Sequence, residues 1–189
     1  MNDEFLTVTG VATEAAAMAD SLNSAIQQRQ NKVYAQEEGG SERQEFKAAW
    51  ATSMRDKAKN YQSSVSDADH CKVIRDLSKE ISERFGNILQ GGKLRYGTSQ
   101  KAFNLYLKYL WRLGIVPTPP HCPVDNIVLV AGEIIGSWTA LDDEEKYCEW
   151  IEILKRRARP RSLSEWENEI WLLEWKRRNS KQNQCPPSS

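Results

Sequence analysis

Between Glu83 and Asp125 the sequence carries no acidic residue, while Arg84, Lys93, Arg95, Lys101, Lys108 and Arg112 alternate with Tyr96, Tyr106, Tyr109 and Trp111. Such cations replace the counterions condensed on a phosphate backbone, and aromatic rings stack on exposed bases, so the segment is a candidate nucleic-acid surface. The plainer alternative is that the rings are core and the cations a solvated helix face. A second cluster, Lys155-Arg156-Arg157 followed by Arg159 and Arg161, puts five basic residues within seven. Its plainer explanation is the stronger one, because the helix dipole favours cations at a C-terminus without any ligand. From the two clusters, Lys93, Arg95, Tyr96, Lys108, Arg112, Arg156 and Arg157 are the nucleic-acid-binding candidates.

Within the first cluster, Gln100-Lys101-Ala102 is followed by Lys108 seven residues after Lys101, then by a proline-rich loop and Pro123-Val124-Asp125. A lysine amine that has lost its proton attacks electron-poor carbon, and a carboxylate beside it stabilises positive charge and moves protons. Taken singly, Asp125 is an ordinary helix cap and Lys101 an exposed residue of a first helical turn. The arrangement resembles the helix-hairpin-helix DNA glycosylases, most closely the archaeal 8-oxoguanine glycosylase branch. Their motif puts a lysine at the start of a helix and an aspartate in a Pro-Val-Asp segment; the resemblance covers roughly a fifth of the chain. It implies a base-excision activity in DNA repair, with Lys101 and Asp125 as the catalytic pair. Lys101 would attack the sugar carbon of a flipped, damaged nucleotide and form a Schiff base, and Asp125 would assist. Burial or a neighbouring cation such as Lys108 would help to keep the amine unprotonated, and a ring such as Trp111 or Tyr106 would sandwich the base.

Other chemistries find less material. His70-Cys71 and His121-Cys122 hold the only histidines, but adjacent residues seldom converge on one ion and no paired cysteine spacing occurs, so no metal is assigned. Gly91-Gly92 lacks the lysine and hydroxyl residue of a phosphate-binding loop, and no histidine lies near a credible serine nucleophile. No cofactor is expected. The competing function is a non-catalytic helical adaptor, or a homo-oligomer, that grips a protein partner with tryptophans of the region 138–175.

The elements that must position these residues follow from periodicity. Ala15, Met18, Leu22 and Ile26 recur at helical spacing within residues 11–34, and Gly39-Gly40-Ser41 ends that helix. Phe46, Trp50 and Met54 predict a second helix over 42–61, and Val73, Leu77, Ile81, Phe85 and Ile88 a third, closed by Gly91-Gly92. Thr98 and Ser99 offer hydroxyls to cap a fourth helix, which carries Phe103, Tyr106, Leu107 and Leu110 to Gly114. Asp125 is suited to cap a short helix over the apolar run 127–131, with a short strand as the alternative for so brief a run. Residues 138–157 hold another, acidic first and basic last. Ser164 and Glu167 form a capping box for a final helix that Lys176-Arg177-Arg178 closes.

The expected fold is therefore all-α, one domain over 1–189 with six to seven helices. It divides into a packing region at 11–91, a basic and aromatic region at 92–178, and a polar tail at 179–189. Composition fits: 40% hydrophobic residues support one core, and 26 basic against 26 acidic residues exclude general supercharging. No stretch approaches the roughly 18 apolar residues of a bilayer span, and the first ten residues lack a signal-peptide pattern. The expected location is the cytoplasm, without membrane contact and with reduced cysteines.

Overall fold

Side-chain caps start most of the helices. In the computed structural model, which describes residues 3–27, 31–35 and 40–182, Asp3 caps α1 (Glu4–Thr9) and Thr13 caps α2 (Glu14–Ile26). Helix α3 (Gly40–Ala58) runs on into a 3-10 turn (Lys59–Gln62), and Ser66 caps α4 (Asp67–Phe85). After a second 3-10 turn (Gln90–Gly92) come α5 (Tyr96–Arg112) and α6 (Asn126–Ala131), the latter capped by Asp125. A third 3-10 turn (Trp138–Ala140) precedes α7 (Glu144–Ala158), capped by Asp143, and α8 (Leu163–Gln182). The protein is 72% helical, with no strand among the described residues, so the all-α expectation holds.

One hydrophobic core runs from Phe5 to Trp166, and α5 is its axis. Every residue from Tyr96 to Leu110 is buried, with α2 and α4 as the main flanking helices. The lack of carboxylates that looked like an anion-binding surface is better explained by position: a helix enclosed on all sides has no room for unpaired acids. Its buried polar side chains find hydrogen-bond partners, save Lys108, whose only polar partner among the described residues is Glu167, in an ion pair. Ser99 Oγ donates to the Ile74 carbonyl at 3.2 Å, and Asn104 Nδ2 donates to the Cys122 carbonyl and the Tyr147 hydroxyl, each at 2.9 Å.

Several local expectations need correction. Thr98 and Ser99 do not cap α5, which starts earlier. The Tyr96 N–H instead donates to Asp142 Oδ1 at 3.2 Å, and the Gly97 N–H to the Leu141 carbonyl at 2.8 Å. Gly97 is required for that approach, because a Cβ there would lie 1.8 Å from the Trp138 carbonyl oxygen. The capping box of α8 is formed by Ser162 and Glu165, two residues before the expected pair: each accepts the other's N–H, at 3.2 and 2.9 Å. The same Ser-x-x-Glu spacing occurs twice in succession, and only the earlier copy sits at the helix start. Helix α2 stops at Ile26, α3 opens at Gly40, and α8 continues past Arg178 to Gln182. Helix α1 has too few residues for a periodic signal. Residues 28–30, 36–39 and 183–189, which include Gly39, Cys185 and the terminal prolines, lie outside the described residues.

Candidate functional site

Gln100 joins the two halves of the site. Its Nε2 donates to the Val124 carbonyl at 2.7 Å and its Oε1 accepts from the Val124 N–H at 3.1 Å, so the Pro-Val-Asp segment is fixed to the first turns of α5. Asp125 is thereby set opposite Lys101. Lys101 Nζ donates to Asp125 Oδ2 at 2.7 Å, while Asp125 Oδ1 accepts from the Ile127 and Val128 N–H groups at 2.9 and 3.2 Å. Burial acts to raise the Asp125 pKa, but the Lys101 ammonium and the two N–H groups outweigh it and hold the carboxyl below its ordinary value. The carboxylate thus has two tasks at once, helix cap and lysine partner.

The pair is largely enclosed, with side chains 7% and 17% exposed, and it lines a cavity of about 260 Å³. Phe5, Tyr109, Trp138 and Trp171 supply aromatic wall, and Asp20, Glu167 and Arg178 supply charge. The Tyr109 hydroxyl donates to Asp20 Oδ2 at 2.8 Å. A cavity with four aromatic rings, one amine, one guanidinium and three carboxylates in its lining has the makings of a site for a planar, polar ligand.

Two turns along α5, Lys108 makes a second ion pair. Its Nζ lies 2.8 Å from Glu167 Oε2, off the direction of a well-aligned hydrogen bond, with the two side chains 2% and 3% exposed. The ammonium also sits 4.1 Å from the centre of the Phe5 ring. Burial lowers the Lys108 pKa and raises that of Glu167, and the partner's charge opposes the shift in each case. Lys108 therefore cannot reach phosphate, and its charge is offset before it can act on Lys101.

The remaining candidates do not form one outward ridge. Lys93 pairs with Asp142 and Arg112 with Asp3, Arg95 donates to the Thr139 carbonyl at 2.9 Å, and the buried Tyr96 donates its hydroxyl to the Cys71 carbonyl at 3.3 Å. Acids distant in sequence thus supply what the local stretch lacks. Arg157 donates to Glu133 at 2.9 Å, and Arg156 lies on the exposed face of α7. Tyr106 is buried away from the cavity, donating to Glu14 at 2.7 Å, and Trp111 does not line it.

Sequence reasoning missed Phe5, Asp20, Tyr109, Glu167 and Trp171 as cavity residues. Glu167 left one signal: it falls at helical spacing with Leu163, Ile170 and Trp171, a carboxylate on an apolar stripe. The two histidines do meet, with ring centres 4.5 Å apart, but as members of a buried polar network. His70 Nδ1 lies 2.7 Å from the Tyr61 hydroxyl and its Nε2 is 2.8 Å from Asn104 Oδ1, while His121 Nδ1 lies 3.0 Å from the Tyr147 hydroxyl. Among the described residues no group of three or more His, Cys, Asp or Glu is arranged to hold a metal ion, and no helix is long and apolar enough to cross a membrane. Comparison with family models, with curated proteins and with solved structures gave no match to this chain.

Proposed function

We propose that this chain binds DNA and removes a damaged base through a Schiff base on Lys101. What supports the reading is one observation, the Lys101 amine 2.7 Å from the Asp125 carboxylate in the lining of an aromatic cavity. A flipped nucleotide would enter that cavity, stacking its base on the aromatic wall. Lys101 begins as an ammonium paired with Asp125 and passes a proton to the carboxylate or to water before it acts. Its amine then attacks the sugar C1′. The C1′–N bond to the base breaks, and the base departs with the electron pair and takes up a proton. Asp125, again a carboxylate, stabilises the positive charge that develops on the sugar. The C1′–O4′ bond then breaks, O4′ keeps the electron pair and takes up the proton that the attached nitrogen loses, and an imine is left between C1′ and Lys101 Nζ.

Binding of the backbone falls to cations other than those of α5. Arg178 lines the cavity and Arg177 lies on the adjoining surface. Both bond to Glu174 in exposed ion pairs, which exchange readily for phosphate. Borohydride reduces the imine to a stable amine, so the test is covalent trapping on duplexes that carry damaged bases. Wild-type protein should give an adduct and Lys101→Gln none; an adduct undiminished in the variant excludes Lys101.

A non-catalytic adaptor is the alternative, favoured by Val130 and Leu173. They are 77% and 66% exposed and border a groove of about 520 Å³ between α6 and α8. Trp138, Trp150 and Trp166 are core residues and are not available to a partner. Self-association by size-exclusion chromatography, lost in Leu173→Glu, would favour that alternative in its homo-oligomeric form.

A further inference from the structure

On the far side of α5 from the lysine cavity, α4 and α7 bring two cysteines together. Cys71 Sγ and Cys148 Sγ lie 3.2 Å apart, within thiol hydrogen-bond distance and outside a covalent bond. Both line a second cavity of about 540 Å³, bordered also by Asp67, Arg75, His121 and Glu144. Cys71 is buried, whereas Cys148 is half-buried and also faces an adjoining surface hollow. The third described cysteine, Cys122, is buried and lines neither.

We infer that Cys71 and Cys148 are a peroxide-reactive dithiol that closes to a disulfide between α4 and α7. The cavity gives a small hydroperoxide access to Cys148, the outer of the two sulfurs. The buried Cys71 thiol has its pKa pushed up to about 12 by burial and by its hydrogen bond with Cys148, so it stays protonated and does not react first. In the first step the Cys148 sulfur, as thiolate, attacks the terminal oxygen of the hydroperoxide. The O–O bond breaks, the alkoxide or hydroxide takes up the proton that the thiol released, and Cys148 becomes a sulfenic acid. In the second step the Cys71 sulfur attacks the Cys148 sulfur. The S–S bond forms, the S–O bond breaks, and hydroxide leaves as water with the Cys71 proton. Two thiols are oxidised by two electrons and one hydroperoxide is reduced to an alcohol, or to water when the oxidant is hydrogen peroxide.

The sulfurs need to approach by little more than 1 Å to reach the roughly 2 Å of a disulfide, a displacement within the reach of rotamer adjustment. No other pair of described cysteines stands at such a distance. The link would enclose residues 71–148, and with them both Lys101 and Asp125, in one covalent loop.

The test treats reduced, full-length protein with one equivalent of hydrogen peroxide and analyses it by intact mass and non-reducing peptide mapping. The expected result is a loss of about 2 Da that dithiothreitol restores, with the peptides of Cys71 and Cys148 joined. A rise in melting temperature of roughly 10 °C should accompany it, from constraint of the unfolded chain. In Cys71→Ser, Cys148 should accumulate as a sulfenic acid that dimedone captures. The wild-type map stands without the variant should that fail to fold. Oxidation of wild-type Cys148 with no link to Cys71, a link through Cys122 or Cys185, or no reaction at one equivalent would each overturn the proposal.

Discussion

The two ion pairs of α5 use the same chemistry and differ in one respect. Lys101 and Asp125 both open on a cavity, whereas of the second pair only Glu167 reaches the cavity wall and Lys108 is sealed between α5, α8 and the Phe5 ring. The lysines lie seven residues apart on one helix face, so neither residue type nor spacing separates them. What separates the two lysines is the covering: α8, with Glu167 on it, closes over Lys108, while the loop pinned by Gln100 leaves Lys101 and Asp125 at a cavity wall. A lysine beside a carboxylate becomes a candidate for chemistry only where a ligand can approach it.

Breaking the Lys108–Glu167 pair should have the largest effect on stability. Lys108→Met leaves Glu167 buried without its counter-charge and is expected to cost about 3–5 kcal/mol, read as a lower urea midpoint at unchanged slope. The double variant Lys108→Met with Glu167→Leu removes both charges and should recover most of the loss. If the double variant is no more stable than the single, the pair is contributing more than mutual neutralisation.

The open pair should respond less. Asp125→Ala removes a helix cap and the partner of a lysine that keeps some access to water, and a loss of about 1–2 kcal/mol is expected by the same titration. Activity should invert the order: Asp125→Asn should lose covalent trapping, whereas Lys108→Met, at a residue outside the cavity lining, should retain it at temperatures where the variant is folded.

Stability against pH sharpens the contrast further. The Asp125 pKa is lowered in the folded state, so its contribution is complete above the unfolded value near 4 and is lost as pH falls through the folded one. The Glu167 pKa is raised, so its contribution runs the other way, present below the unfolded value and lost as pH rises through the folded one. Urea titrations from pH 3 to 7 should therefore give difference curves of opposite slope for Asp125→Asn and Glu167→Gln against wild type. Curves of the same slope would mean that the two carboxyls share one environment. The smallest effect is expected from Lys93→Ala, which removes an ion pair with a half-exposed lysine: under about 1 kcal/mol, with salt-dependent DNA binding unchanged in a fluorescence anisotropy titration.

The helices were legible wherever apolar residues recur at three-to-four spacing over several turns, as in α4, because burial of one stripe is a local pattern. Helix starts were less so. A Ser-x-x-Glu spacing at 162–165 and again at 164–167 reads alike in both registers, and α5 takes its cap from Asp142, forty-six residues from Tyr96. The Lys101–Asp125 pairing was readable from the resemblance, but the rest of the cavity was not. Phe5, Asp20, Glu167 and Trp171 reach it from both ends of the chain, and a long-range contact leaves no periodic trace. The cationic surface was misread for a related reason: a stretch free of acids looks the same whether it faces water or is neutralised by acids from distant helices.

The most direct test of the contrast is to locate the trapped amine. After borohydride treatment on a duplex with a damaged base, proteolysis and mass spectrometry should find the reduced sugar adduct on Lys101 alone. An adduct on Lys108, on the exposed lysines of the surface, or on no lysine at all would contradict the account.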